Sequence, residues 1–189
     1  QKFPGQFASI HILSKLPGAP PEVGQQSWNI QDMRPVEGKS RVAAEWFDKD
    51  GKDTGYPAVI VSDAGIYMTH VLLSDDAANK RRMLLAMVGK FVPEAWKQAA
   101  GASLATVGRI GPYRDYQEAH LAMTRAANPT AAGTLAAATK RRAEAQDLAK
   151  AGKFSESIAA AEDAQRLMTE AYCKSQTPVP GEFRAIWCH

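Results

Sequence analysis

An imidazole and two carboxylates stand close together in the stretch YMTHVLLSDD, as His70, Asp75 and Asp76. A histidine at the carboxyl end of a strand, with acids just beyond it, could serve as a base and its orienting acid, because α/β proteins tend to place ligands at that end of the sheet. The rest of such a site is missing from the sequence. There is no nucleophile elbow or phosphate loop, and GRIGPYRDY carries glycines without GxGxxG or GxxxxGK[ST] spacing. The simpler expectation makes His70 a half-buried strand residue and Asp75 and Asp76 the capping acids of a following helix.

Asp48, Asp50 and Asp53 in DKDGKD invite a calcium reading, but an EF-hand loop also requires an oxygen ligand at position 5, Gly at 6 and a bidentate Glu at 12. Lys52, Asp53 and Val59 occupy those positions, so a hairpin turn is expected instead. Two cysteines, Cys173 and Cys188, make no framework and no CxxC motif. They could pair in an oxidising compartment or be buried thiols, and the second is the expectation carried forward. Neither a metal nor a cofactor is expected.

With 23 basic against 20 acidic residues the net charge is +3, too even for a dedicated nucleic-acid surface. The basic runs Lys80-Arg81-Arg82 and Lys140-Arg141-Arg142 lack aromatic stacking partners and read as solvated helix faces. No apolar run reaches the ~20 residues of a membrane helix. Trp28, Trp46, Trp96 and Trp187 could be sugar-stacking platforms, but in their apolar settings they are expected in the core.

The elements that must position these residues follow from hydrophobic period. Strands are expected over 7–13, 41–47, 56–63 and 66–73, sharing one sheet, with 16–24 (LPGAPPEVG) as a loop and 48–51 as a turn. Ala58 to Val61 is continuously apolar and suits a strand covered on both faces. Ser74, Asp75 and Asp76 mark a helix start, after which Met83, Leu84, Met87, Val88 and Phe91 recur at helical spacing. Pro93 restarts the helix, and the α/β unit closes near Ala100. GASLATVGRIGPYRD reads as a linker. Helices over 112–127, 129–151 and 154–175 follow, with Asn128-Pro129 and Ala151-Gly152 as boundaries and the last two forming an antiparallel hairpin. The hairpin superficially resembles a tetratricopeptide unit, but a solenoid needs about three repeats and the chain has one. From Pro178, Glu182 and Arg184 alternate against Phe183, Ala185, Ile186 and Trp187, as a buried strand begins.

That ending, GEFRAIWCH, resembles the opening strand of the (β/α)8 barrel in glycoside-hydrolase-like proteins related to family 10, and the helix ending in EAYCKSQ resembles what precedes the barrel in large bacterial envelope proteins of this group. More loosely, YPAVIVSDAGIYMTHVLLSDDAANKRRMLLAMVGKFVP is similar to the closing half of a glutamine-amidotransferase-like α/β domain of non-catalytic type. An active amidotransferase needs a Cys nucleophile at a strand-helix elbow, and neither cysteine is so placed. The resemblance implies a protein that hydrolyses or binds glycans outside the cytoplasm, periplasmic, secreted or attached to the envelope. The two carboxylates of such hydrolysis would lie on later barrel strands. It also implies that Trp187 and His189, at the end of the first barrel strand, could line the sugar site.

The expected fold class is therefore α/β or α+β: a partial α/β sandwich (1–100), an antiparallel helical connector (101–177) and one terminal strand opening a truncated barrel (178–189). The expected function is the non-catalytic portion of a carbohydrate-active protein, supporting glycan binding or domain assembly, with the remaining domains of the same polypeptide and polysaccharide as partners. The alternative is a stand-alone adaptor that binds another protein through the helical hairpin.

Overall fold

In the computed structural model, residues 7–13, 16–126 and 128–176 are described, and they fall into two compact units that divide between Pro93 and Glu94. The expected terminal strand, with Trp187 and His189, lies outside the described residues.

The first unit is a curled five-stranded sheet, a half-barrel, in the order β2-β1-β3-β4-β5. Its strands are β1 (Phe7–Ile12), β2 (Glu22–Ser27), β3 (Ser40–Asp48), β4 (Asp53–Ser62) and β5 (Ile66–Met68), followed by helix α1 (Ala77–Phe91). Every pairing is antiparallel, so of the two expected classes the fold is α+β. β3 and β4 form a hairpin across DKDG, where Gly51 adopts φ 74° and the Asp48 carboxylate accepts the N–H groups of Asp50 and Lys52, both at 2.9 Å. That carboxylate is occupied in shaping the turn. Ala58, Val59, Ile60 and Val61 are all buried, as their continuous apolar run requires. Trp46 is fully buried at the centre, tilted against Phe7 at 5.6 Å between rings.

Two elements differ from the sequence-based expectation. β2 begins inside the expected loop, at residues 22–24, and runs on through 25–27, where no element is expected, because its sequence EVGQQS has little strand propensity and is held by long-range bonds instead. β5 ends at Met68 rather than 73, since Thr69 turns the chain: its hydroxyl accepts from the Trp46 indole N–H at 2.9 Å and donates to the Pro57 carbonyl at 2.8 Å.

The second unit consists of α2 (Glu94–Thr106), α3 (Tyr116–Ala126), α4 (Pro129–Lys150) and α5 (Phe154–Ser175). Residues 101–106, expected in a linker, continue α2. The chain turns at Gly108, whose φ of +88° and whose lack of a side chain are both necessary: a Cβ there would stand 2.3 Å from the Tyr116 Cα. Its N–H donates to Gln165 Oε1 at 2.7 Å. Asn128 caps α4 by accepting the Thr130 N–H at 3.0 Å, with Pro129 in the first turn where no N–H is needed. α4 and α5 form the expected hairpin, closed by the Ser157 hydroxyl donating to the Ala145 carbonyl at 2.8 Å. Their seam is mostly alanine: Ala138, Ala145, Ala160, Ala161, Ala164 and Ala171 are buried beside Met168. Small side chains let the two helix backbones approach closely, so packing rests on many short contacts.

Candidate functional site

The two edges of the sheet are treated differently, and the residues singled out from the sequence lie at both. β2 is one edge. Its Gly24 N–H donates to Asp76 Oδ2 at 2.7 Å, and its Gln26 N–H donates to Asp75 Oδ2 at 3.2 Å. Residues 24 and 26 are two apart, so their N–H groups point the same way, and two consecutive carboxylates close that edge. This corrects the expectation that Asp75 and Asp76 cap α1. Asp76 sits at the helix start with φ 47° and makes no side-chain cap bond; its carboxylate turns to the sheet, where it also accepts from Asn79 Nδ2 at 3.1 Å. Acidic residues satisfy whichever backbone donors lie within reach, and the edge strand supplies them.

Lys80 supports the same edge from beneath. It is 4% exposed, donates to Asp75 Oδ1 at 2.6 Å and to the Leu73 carbonyl at 3.0 Å, and thereby keeps a buried ammonium compensated. The Lys80 hydrogen bond, aided by the Gln26 N–H, holds the Asp75 carboxyl below its ordinary value. Nothing in the sequence set Lys80 apart from the basic run 80–82, since its burial arises from where α1 packs.

His70 belongs to a second network. Its Nδ1 lies 2.6 Å from the Val71 carbonyl and 3.1 Å from Gln25 Nε2, and the tautomer decides which of the two it bonds. The same carbonyl accepts from Gln25 Nε2 at 2.9 Å, and Gln25 Oε1 accepts the Leu73 N–H at 3.1 Å. Gln25, fully buried in β2, thus fastens the 70–73 segment to the sheet. The half-buried histidine expected from the sequence is what the structure shows, edge-on to Trp46 at 6.2 Å between rings. His70 is linked to Gln25, whereas Asp75 and Asp76 bond to Gly24, Gln26, Asn79 and Lys80; no hydrogen bond joins His70 to either acid among the described residues.

Beside β5, the other edge, residues 29–31 and 67–72 enclose a groove of about 640 Å³. Its polar side chains are Asn29, Gln31, Tyr67, Thr69 and His70, and none of its lining residues is a Lys, Arg, Asp or Glu. The Gln31 N–H donates to the Thr69 carbonyl at 2.8 Å and the Tyr67 hydroxyl donates to Gln31 Oε1, so the two walls are tied to each other. Tyr67 is 41% exposed. Trp28, immediately before Asn29, is 71% exposed, which corrects the expectation that the tryptophans are core; Trp46 is core and Trp96 is half-buried. SWNIQDM lacks the alternation that would have marked its outward position.

Cys173, half-buried in α5, is disulfide-bonded rather than a buried thiol. Among the described residues no group of three or more His, Cys, Asp or Glu side chains is arranged to hold a metal ion, and no helix is long and apolar enough to cross a membrane. Comparison with protein-family models, with curated proteins and with solved structures gives no match.

Proposed function

We propose that this chain is the non-catalytic portion of a carbohydrate-active, glycoside-hydrolase-like protein acting outside the cytoplasm, where it supports glycan binding or domain assembly. The observation that carries the non-catalytic reading is the use made of its acids: Asp75 and Asp76 are spent on the backbone of β2 and on Lys80, and His70 is held by Gln25 and Val71. A general acid or base needs a free face toward a substrate, with a pKa tuned for proton exchange near the working pH. The Asp75 carboxyl is shifted the other way, below its ordinary value, by the Lys80 hydrogen bond. The carbohydrate reading rests on the resemblance of GEFRAIWCH to a first barrel strand, and an uncharged groove with an exposed Tyr67 in its lining is compatible with it. A disulfide at Cys173 fits an oxidising compartment.

The adaptor reading gains no support from the hairpin, whose apolar seam is filled by its own partner helices. The residues that would discriminate it, Phe183, Ile186 and Trp187, lie outside the described residues.

The test uses the polypeptide expressed from its complete natural reading frame. Replacing Asp75 and Asp76 together by Asn should leave glycan hydrolysis per folded molecule unchanged. Loss of turnover in a variant that still unfolds cooperatively would contradict the non-catalytic assignment. Failure of the complete polypeptide to bind or hydrolyse any polysaccharide would contradict the carbohydrate assignment.

A further inference from the structure

From the groove beside β5 we infer a binding site for a neutral saccharide, with Tyr67 as its stacking face and Gln31, Asn29 and His70 as its hydroxyl-reading groups. This inference rests on the carbohydrate reading above and assigns it a place.

Three features of the groove converge on that class of ligand. The first is charge. With no Lys, Arg, Asp or Glu in its lining, the groove offers nothing to compensate an anionic or cationic ligand, and desolvating such a ligand against apolar walls would be unfavourable. The second is the pairing of donors with acceptors. A sugar hydroxyl both donates and accepts, so it is best met by groups of both kinds. The Tyr67 hydroxyl occupies Gln31 Oε1, which leaves the Gln31 amide hydrogens as donors; the His70 imidazole, in its neutral form, carries one donor and one acceptor nitrogen; Asn29 supplies one of each. The third is exposed aromatic surface. The C–H faces of a pyranose ring are apolar and pack on flat aromatic rings, and Tyr67, 41% exposed, presents such a ring in the groove lining.

The groove is also pre-formed. The Gln31 N–H to Thr69 carbonyl bond and the Trp46–Thr69–Pro57 chain of hydrogen bonds hold both walls, so binding would require little ordering of the protein. The lining is mixed rather than purely polar, with Ile30, Met68 and Leu72 between the hydrogen-bonding groups.

The experiment titrates the 189-residue chain with neutral hexasaccharides of glucose, xylose and mannose, with an anionic uronic-acid hexamer and with an unrelated extended peptide, reading binding by calorimetry and by tryptophan fluorescence. At least one neutral hexasaccharide should bind, and Tyr67→Ala should weaken it roughly tenfold, the loss of one aromatic face. Because Tyr67 is 41% exposed, this variant should fold normally. Gln31→Ala, also at an exposed position, should weaken binding several-fold without altering the melting curve. Preference for the uronic-acid hexamer or the peptide would overturn the inference. Neutral saccharide binding that is indifferent to both substitutions would overturn this site while leaving the carbohydrate reading in place. So would absence of binding to this chain if the complete polypeptide still degrades a glycan. If the complete polypeptide neither binds nor hydrolyses glycans, both fall together.

Discussion

The two units of this chain reach stability by opposite means. The sheet unit is assembled from a few large apolar side chains around Trp46 and from side chains that bond distant backbone, with Gln25, Asp75, Asp76 and Thr69 each joining segments far apart in sequence. The helical unit is an alanine seam with short-range caps and surface ion pairs such as Arg114 with Glu118 and Lys174 with Glu170. Small, evenly spaced contacts tolerate little added volume, whereas a polar framework tolerates volume but depends on individual donors and acceptors. Each unit also carries a groove: about 640 Å³ beside β5, and about 350 Å³ in the helical unit, lined by His120, Thr124, Asn128 and Leu135 among others. The larger of the two is the candidate ligand site.

Substitutions should separate these two regimes. The largest effect is expected at Trp46→Ala, which empties the centre of the sheet unit and leaves the Thr69 hydroxyl without its indole donor; about 3–5 kcal/mol of stability should be lost, measured by urea denaturation. In the helical unit the sensitive change has the opposite sense. Ala164→Leu adds volume to a fully buried seam position and should cost about 1–3 kcal/mol, whereas a leucine at the exposed Gly133 of α4, where an added Cβ meets nothing within 4 Å, should be tolerated. Equal tolerance at positions 133 and 164 would show that the seam is not close-packed.

Smaller effects concern the edge of β2. Asp76→Asn weakens a charged acceptor on the Gly24 N–H and should cost about 1 kcal/mol, with faster amide exchange at Gly24 as the local signature. Asp75 adds a pH dependence of known sign. Its carboxyl is held below its ordinary value in the folded chain, so the folded state binds fewer protons there than the unfolded chain does. Its contribution is complete above the ordinary aspartate pKa of about 3.9 and is lost as pH falls through the lower, folded value. Asp75→Asn should remove that part of the acid-induced loss of stability and leave the profile above pH ~6 parallel to the parent.

The smallest effect is expected at Glu45, where burial, reinforced by the nearby Asp53, pushes the carboxyl above its ordinary value. Stability linked to this group is present at low pH and lost as pH rises through the folded value. Glu45→Gln should therefore raise the melting temperature slightly at neutral pH, and the gain should vanish in acid. A destabilised variant at neutral pH would show that the charged carboxylate has a favourable partner after all.

What was legible in the sequence divides along the same line as the energetics. The helical hairpin could be read because its determinants are local: Asn128-Pro129 begins α4, Gly152 closes the turn with φ 75°, and Ile158, Ala161, Ala164, Met168 and Ala171 recur on one face of α5. The β3–β4 hairpin was equally legible from DKDG and from the apolar run at Ala58 to Val61. β2 was not, because EVGQQS becomes a strand through Asp75 and Asp76, some fifty residues away, and through its pairing with β1. For the same reason the two acids looked like helix caps, which is what nearest-neighbour chemistry favours. α1 shows the mixed case. Met83 and Met87 are buried as their spacing implies, but Leu84, Val88 and Phe91 are exposed, since the buried face is centred on Lys80, Met83 and Met87. His70 is half-buried, as the sequence implies, but the strand expected to carry it ends at Met68. The groove beside His70 is not legible in the sequence, because Asn29, Gln31 and Tyr67 are brought together only by the fold.

We propose that the sheet unit, and not the helical unit, carries the ligand surface. Amide hydrogen exchange followed by mass spectrometry, on the chain with and without a saturating neutral hexasaccharide, tests it most directly. Slower exchange confined to peptides covering 28–31 and 67–72, with the peptides of 116–175 unchanged, is the predicted result. Protection that falls on α4 and α5 instead, leaving the groove segments unaffected, would contradict it.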